Sequence, residues 1–129
     1  MIFFSRQRII VSYDTKNNKE VAWLASQNEI TRIISLVRSI NSFRIVDTKK
    51  NRETRYRLGI TVDDQKQLIH SLTVNDYNSG PEQDYDSSRS GEIWIFKKYA
   101  YGTIFYIKIK IDITHEIRVL SCHIDNIIV

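Results

Sequence analysis

The sequence predicts an α+β domain in which N-terminal helices pack on one face of a C-terminal antiparallel sheet. Isoleucine and valine recur at intervals of three, four and seven after residue 26, which indicates an amphipathic helix. From Glu92 the apolar period changes to two, which indicates strands. Because the connections between these strands are short, we expect antiparallel neighbours, and helices that precede such a sheet cover one of its faces.

Size and composition indicate one globular domain over residues 1–129. Of the 129 residues, 42% are hydrophobic and 26% are charged. No apolar run reaches the about 18 residues that span a bilayer, so no membrane partner is expected. Arg6 and Arg8 interrupt the first apolar stretch, unlike a secretory signal, and Cys122 is the only cysteine. These features predict a cytoplasmic protein.

The N-terminal segment, residues 1–25, is the least regular part of the pattern and is treated as an extension. RIIVSY and EVAWL read as two strands around the polar turn DTKNNK, which would make a hairpin. KEVAWLASQ could equally begin a helix. The sequence leaves both alternatives open.

Residues 26–73 are predicted to be mainly helical. Ser26 followed by Glu29 indicates a capping box at the start of the first helix. FRIV, residues 43–46, is a short strand candidate, and residues 48–57 are predicted as either a helix or a basic loop.

Glycine and threonine mark the next boundary. Gly59 is predicted to end one element, and Thr61 with Asp64 is predicted to begin another helix, whose buried side includes Leu68 and Leu72.

The C-terminal half divides into a loop and a meander. Residues 74–91 have no apolar periodicity and are predicted to form a long surface loop. Residues 92–124 are predicted to form three strands, EIWIFKK, TIFYIKIKIDI and IRVLSCHI. In the middle strand the apolar residues from Phe105 to Ile113 are expected to face the helices, and the polar residues to face outward.

The outward face of the meander carries groups that could react. Tyr106 and Lys108 alternate with the buried residues, and His123 is expected beside them because Leu120 and Cys122 suit the core. In the first strand, Ile93 and Ile95 are taken as the buried pair. Trp94, Phe96 and Lys98 would then share the outer face with the three residues named above.

These residue types suit cleavage of RNA without a metal or cofactor. Attack of a 2′-OH on the adjacent phosphorus needs a base, an acid and cations that hold the extra negative charge. His123 could be the base or the acid, because a histidine titrates near about pH 6.5 in water. Tyr106 could orient the phosphate or relay a proton, and Lys108 and Lys98 could stabilise the charge. The cysteine and three histidines show no metal-ligand spacing.

Further cationic and aromatic residues are predicted to bind RNA. The run KKNRETRYR, residues 49–57, would guide the RNA backbone, and an exposed aromatic ring would stack an unpaired base. The predicted RNA-binding residues are Lys49, Lys50, Arg52, Arg55, Arg57, Trp94, Lys97 and Lys110. An acidic stretch from Asp76 to Asp86 could be a lid or a partner contact. The charge pattern alone also fits an ordinary solvated surface.

Residues 58–124 resemble the motility quorum-sensing regulator family, which are toxins of bacterial type II toxin–antitoxin systems. The resemblance lies in LGIT, LTVNDYNSGPEQD, GEIWIFKK, FYIKIKI and LSCHI, in this order. It implies a RelE-like α+β fold, cleavage of mRNA without metal, and a cognate antitoxin as partner. Tyr106 matches a functional tyrosine of the family, Lys108 the lysine after it, and His123 a final lysine or histidine. The family has a lysine where this chain has Asn78 and a glutamine where it has Ile95.

Two other functions remain open at the level of sequence. One is a non-catalytic RNA-binding module on the same fold, which would keep the cations and lack proton transfer. The other is a protein-interaction domain whose outer face or edge strand pairs with a partner.

Overall fold

The described residues of the N-terminal segment form two paired strands. The computed structural model describes the backbone of residues 7–13, 19–40, 42–84 and 90–129. Strand β1 (Gln7–Tyr13) pairs antiparallel with strand β2 (Lys19–Leu24). The two predicted strands and their pairing are therefore confirmed, and the helix alternative was wrong. The predicted turn falls on residues 14–18, outside the described residues.

Three helices follow, α1 (Gln27–Ser39), α2 (Lys49–Leu58) and α3 (Val62–His70). The polar run over residues 48–57 is thus a helix rather than a basic loop. No helix in the described part of the chain combines the length and apolar character that crossing a membrane requires.

Local sequence signals set the helix ends. The Ser26 hydroxyl accepts the Glu29 N–H at 3.1 Å, at the start of α1. Thr61 and Asp64 form a reciprocal capping box that starts α3. Gly59 ends α2 in the left-handed region at φ 67°, where a residue without Cβ is least strained.

The sheet has five strands, of which four are antiparallel neighbours. They are β3 (Arg44–Ile45), β4 (Tyr77–Asp84), β5 (Gly91–Ala100), β6 (Thr103–Asp112) and β7 (Ile117–Ile124). Their order is β3-β7-β6-β5-β4, and only the β3–β7 pair is parallel. The predicted α+β class, with N-terminal helices on a C-terminal sheet, is confirmed.

The prediction of a loop over residues 74–91 was wrong for the part that forms β4. This edge strand has no regular alternation because its pairing with β5 shifts register twice. Gly80 lies against the neighbouring backbone, where an added Cβ would be 2.7 Å from the Ile93 carbonyl oxygen. Polar residues and a glycine are common in edge strands and also in loops. The composition of this segment therefore suggested a loop.

The helices cover the face of the sheet on which Trp94, Phe96 and Phe105 lie. Trp94 pairs directly with Ile109 and is fully buried in the core. The prediction that Ile93 and Ile95 face the helices was therefore wrong, because both residues lie on the outer face of β5. The segment IWIF is apolar on both faces, so alternation could not decide between them. Ile113, predicted to face the helices, follows the end of β6 and is exposed.

Candidate functional site

A β-bulge in β7 determines which side chains the outer face presents. Arg118 and His123 are five positions apart, so a regular strand would point them to opposite faces. The pairing of β7 with β6 shifts by one residue at Leu120, which has no partner on β6. The extra residue places Ser121 and His123 on the same face as Arg118, and keeps Cys122 in the core.

Side chains of α2 hold the edge of β7 at this bulge. Asn51 is fully buried, and its Oδ1 accepts the Cys122 N–H at 2.9 Å. Its Nδ2 donates to the carbonyls of Val46 at 2.7 Å and Leu120 at 3.4 Å. Two further contacts on this edge join Thr54 Oγ1 to the Ile124 N–H (3.0 Å) and Gln65 Nε2 to the Cys122 carbonyl (2.8 Å). Polar side chains thus replace the neighbouring strand beyond β3, which satisfies the strand's buried backbone groups.

This arrangement brings the start of α2 beside the outer face, where a pocket of about 560 Å³ opens. Its walls come from the start of α2, from β6 and β7, and from the residues after β7. The lining residues are Thr48, Lys49, Lys50, Tyr106, Lys108, Ser121, His123, Asp125, Asn126 and Val129. The first turn of a helix and several ammonium groups favour an anion in such a pocket.

His123 and Tyr106 lie directly opposite each other on neighbouring strands. Their rings stack with centroids 5.5 Å apart and planes 26° from parallel. His123 Nδ1 lies 2.9 Å from the Ile124 carbonyl oxygen. Because a carbonyl only accepts, Nδ1 carries the hydrogen, and Nε2 of the neutral ring has the lone pair. The Nε2 of the neutral His123 ring is therefore a hydrogen-bond acceptor.

The Tyr106 phenol is held in its protonated form. Burial raises its pKa, the carboxylates of Glu82 and Asp125 raise it further, and the Lys97 ammonium acts in the opposite direction. Lys97 lies opposite Tyr106 and pairs with Asp125 at 3.2 Å, which reduces its influence on the phenol. At neutral pH Tyr106 is thus a hydrogen-bond donor at the pocket.

Three lysines without an ion-pair partner line the pocket. Among the residues that the structure describes, Lys49, Lys50 and Lys108 have no ion-pair partner. Lys110, two residues beyond Lys108, is only 4% exposed and pairs with Asp84 at 3.0 Å. The three lysines are therefore the cations that this pocket offers to a ligand.

Five of the twelve predicted site residues meet in this pocket: His123, Tyr106, Lys108, Lys49 and Lys50. Lys97 lies on the same face beside it.

Six predicted site residues do not contribute to the pocket. Lys98 faces the helix side of the sheet and pairs with Asp76 at 3.2 Å. Trp94 is a core residue, and Lys110 is buried on the outer face. Each arginine of α2 bonds another residue: Arg52 contacts Asp47, Arg55 contacts Gln65 and Asp47, and Arg57 contacts Glu53 and the Ile128 carbonyl. Two acids of the predicted acidic stretch, Asp76 and Asp84, neutralise two of the predicted cations.

Sequence reasoning missed the pocket residues Thr48, Ser121, Asp125 and Asn126. Thr48 was detectable as a helix N-cap, and its Oγ1 accepts the Asn51 N–H at 3.1 Å. The family's glutamine position is Ile95, which lies opposite Lys108 on the outer face. Its lysine position, Asn78, is exposed on the edge strand β4.

Cys122 takes no part in chemistry at this site. Burial in the core raises its pKa to about 12, against an ordinary value of 9.0. We expect no labelling by iodoacetamide at pH 8 in the native protein and one equivalent after unfolding in guanidinium chloride. The raised pKa also means that thiol protonation supports the fold fully below pH 9.0 and that this support is lost as pH rises toward 12. Native labelling at the unfolded rate would contradict the core position.

Comparisons with models of protein families, with curated proteins and with solved structures found no significant match to this chain.

Proposed function

We propose that the chain is an endoribonuclease that cleaves mRNA by attack of a 2′-OH on the adjacent phosphate, without a metal ion. The observation that supports this most directly is the pocket itself. A histidine with a directed Nε2, a protonated phenol and three unpaired lysines line one space of about 560 Å³. Base, proton donor and cations are the groups that this reaction requires.

Each group has a separate role in the proposed reaction. His123 Nε2 takes the proton of the 2′-OH as the 2′-oxygen bonds to phosphorus. Lys108 and the start of α2, with Lys49 and Lys50, stabilise the negative charge on the phosphorane oxygens. The bond from phosphorus to the 5′-oxygen breaks, and Tyr106 donates the proton that this oxygen needs. The enzyme is restored when the His123 imidazolium releases its proton to solvent and the Tyr106 phenolate takes one from solvent. The products carry a 2′,3′-cyclic phosphate and a free 5′-hydroxyl.

Cleavage in EDTA tests this proposal. We expect the purified chain to cut a long unstructured RNA, to leave cyclic phosphate ends, and to leave DNA of the same sequence intact. Lys108→Gln should lower kcat/KM about 100-fold, because it removes one stabiliser of the developing charge. Lys66→Gln removes the same charge from α3, on the helix side of the sheet, and should cleave as the wild type does.

Two results would contradict the proposal that the chain is an endoribonuclease. Equal cutting of DNA would exclude attack by a 2′-OH. Salt-dependent retention of RNA with no cutting would favour the non-catalytic RNA-binding module.

The finer proposal is that this nuclease is the toxin of a type II toxin–antitoxin system with a RelE-like fold. It rests on the resemblance of residues 58–124, and the α+β architecture is compatible with it. A cognate antitoxin would neutralise the enzyme by covering the outer face. Arrest of bacterial growth on expression of the chain, relieved by the product of a neighbouring gene, would support this assignment.

A further inference from the structure

A second cationic feature lies on the outer face at the β3–β7 edge of the sheet. Arg44 and Arg118 are direct partners in the parallel pairing of β3 with β7. Both side chains are exposed, and neither has an ion-pair or hydrogen-bond partner in the described part of the chain. They line a recess of about 330 Å³, whose other residues are Ser42, Phe43, Glu116 and Ile117.

The pairing of these two guanidinium groups is unfavourable by itself. Like charges directly opposite on neighbouring strands destabilise a sheet. Glu116 also lines the recess, and the described residues supply no ion-pair partner to either arginine. An anion bound between the two would remove the repulsion, and a guanidinium group suits the oxygens of a phosphate well.

The position of the pair relates it to the candidate pocket. Arg118 is the direct partner of Lys110, which follows Lys108 by two residues on β6. Alternate residues of a strand are about 7 Å apart, which is comparable with the step between phosphates of an extended single strand. The bulge at Leu120 is what places Arg118 on the same face as His123. A single strand that occupies the pocket can therefore continue along β7 to the arginine pair.

We propose that Arg44 and Arg118 bind a second phosphate of the same single-stranded RNA, one or two nucleotides from the phosphate held in the pocket. This inference rests on the proposed function, since it takes RNA as the ligand of the outer face. It gives the site a direction, because the arginine pair lies on one side of the pocket.

The test is the salt dependence of binding to an RNA that cannot be cleaved. In a 2′-O-methyl oligonucleotide every attacking 2′-OH is blocked, so its dissociation constant can be measured at several salt concentrations. For a single strand, each phosphate contact contributes about 0.7 to the slope of log K against log salt. We expect Arg44→Gln/Arg118→Gln to reduce the slope by about 0.7, because the two arginines together contact one phosphate. The control is Arg38→Gln/Lys66→Gln, which removes two charges from the helix side and should leave the slope as in the wild type.

The outcomes separate the subsite from the nuclease. A wild-type slope in the arginine variant overturns the subsite, even if the wild type cleaves RNA. A reduced slope supports the subsite even if the wild type does not cleave, a result that overturns only the catalytic proposal. Equal reduction in both double variants shows a general charge effect and overturns the subsite. Absence of any binding overturns both proposals.

Discussion

Replacing His123 with alanine is expected to lower RNA cleavage by about 10² to 10⁴-fold, the usual contribution of a general base. The reason is the orientation of the ring. Its Nδ1–H is bonded to the Ile124 carbonyl at 2.9 Å, so Nε2 is the only ring nitrogen that can take a proton. Tyr106 stacks against the ring, but its protonated phenol cannot replace a base at neutral pH. The measurement is kcat/KM on long RNA in EDTA.

A substitution at a second histidine, outside the pocket, is the control for His123→Ala. His115 is exposed after β6 and has a positive φ of 66°, so His115→Asn replaces it with a residue that tolerates this conformation. This variant should cleave like the wild type. Binding of 2′-O-methyl RNA by His123→Ala should stay within a few-fold of wild type, since the lysines are untouched. If His123→Ala cleaved RNA like the wild type, His123 would have no role in the mechanism. If the variant lost binding as strongly as cleavage, the result would indicate a folding defect.

The placement of Tyr106, Lys108 and His123 on one face could be predicted because it depends on alternation in β6. Tyr106 and Lys108 follow from a period of two, and the short connection to β7 makes His123 a neighbour of Tyr106. The cap residues were also predictable, because each helix start has a local hydrogen-bond signal. These features need only contacts close in sequence or one tight turn.

The phase of β5 and the partners of the cations could not be predicted in this way. Trp94 and Ile95 are both apolar, and only packing against the helices decides which one is buried. Lys98 and Lys110 alternate like solvent-exposed lysines, yet each has an acidic partner more than twenty residues earlier in the chain. Long-range ion pairs leave no periodic signal.

The bulge in β7 left a signal in the sequence. In IRVLSCHI the buried apolar residues are Ile117 and Val119, at odd positions, and then Cys122, at an even position. In a regular strand the buried residues are all at odd or all at even positions. A change from odd to even within one strand therefore implies an extra residue between them. That reasoning would have placed Arg118 and His123 on one face. It would not have identified what holds the bulge, since Asn51 comes from a distant helix.

Replacing Asn51 with leucine is expected to destabilise the fold by about 2 to 5 kcal/mol and to impair catalysis. Leucine has a similar size, so the main change is the loss of hydrogen bonds at a fully buried position. The Cys122 N–H and the Leu120 carbonyl lose the partners that Asn51 supplies, whereas the Val46 carbonyl keeps the Thr48 N–H. A buried group left without a partner costs about 1 to 3 kcal/mol. Because the bulge then lacks its support from α2, His123 and Ser121 should shift relative to Tyr106. Denaturant unfolding measures the first effect.

The effect on catalysis is measured by determining kcat and KM separately, with Thr54→Val as the control. Thr54 accepts the Ile124 N–H at 3.0 Å, beyond the bulge, so its loss removes one hydrogen bond on the same edge. We expect Thr54→Val to cost about half as much stability and to keep kcat within a few-fold of wild type. Asn51→Leu should lower kcat at least tenfold under conditions where both variants are folded. If both variants lost kcat equally, the bulge would have no special role, and stability of the edge alone would explain the result.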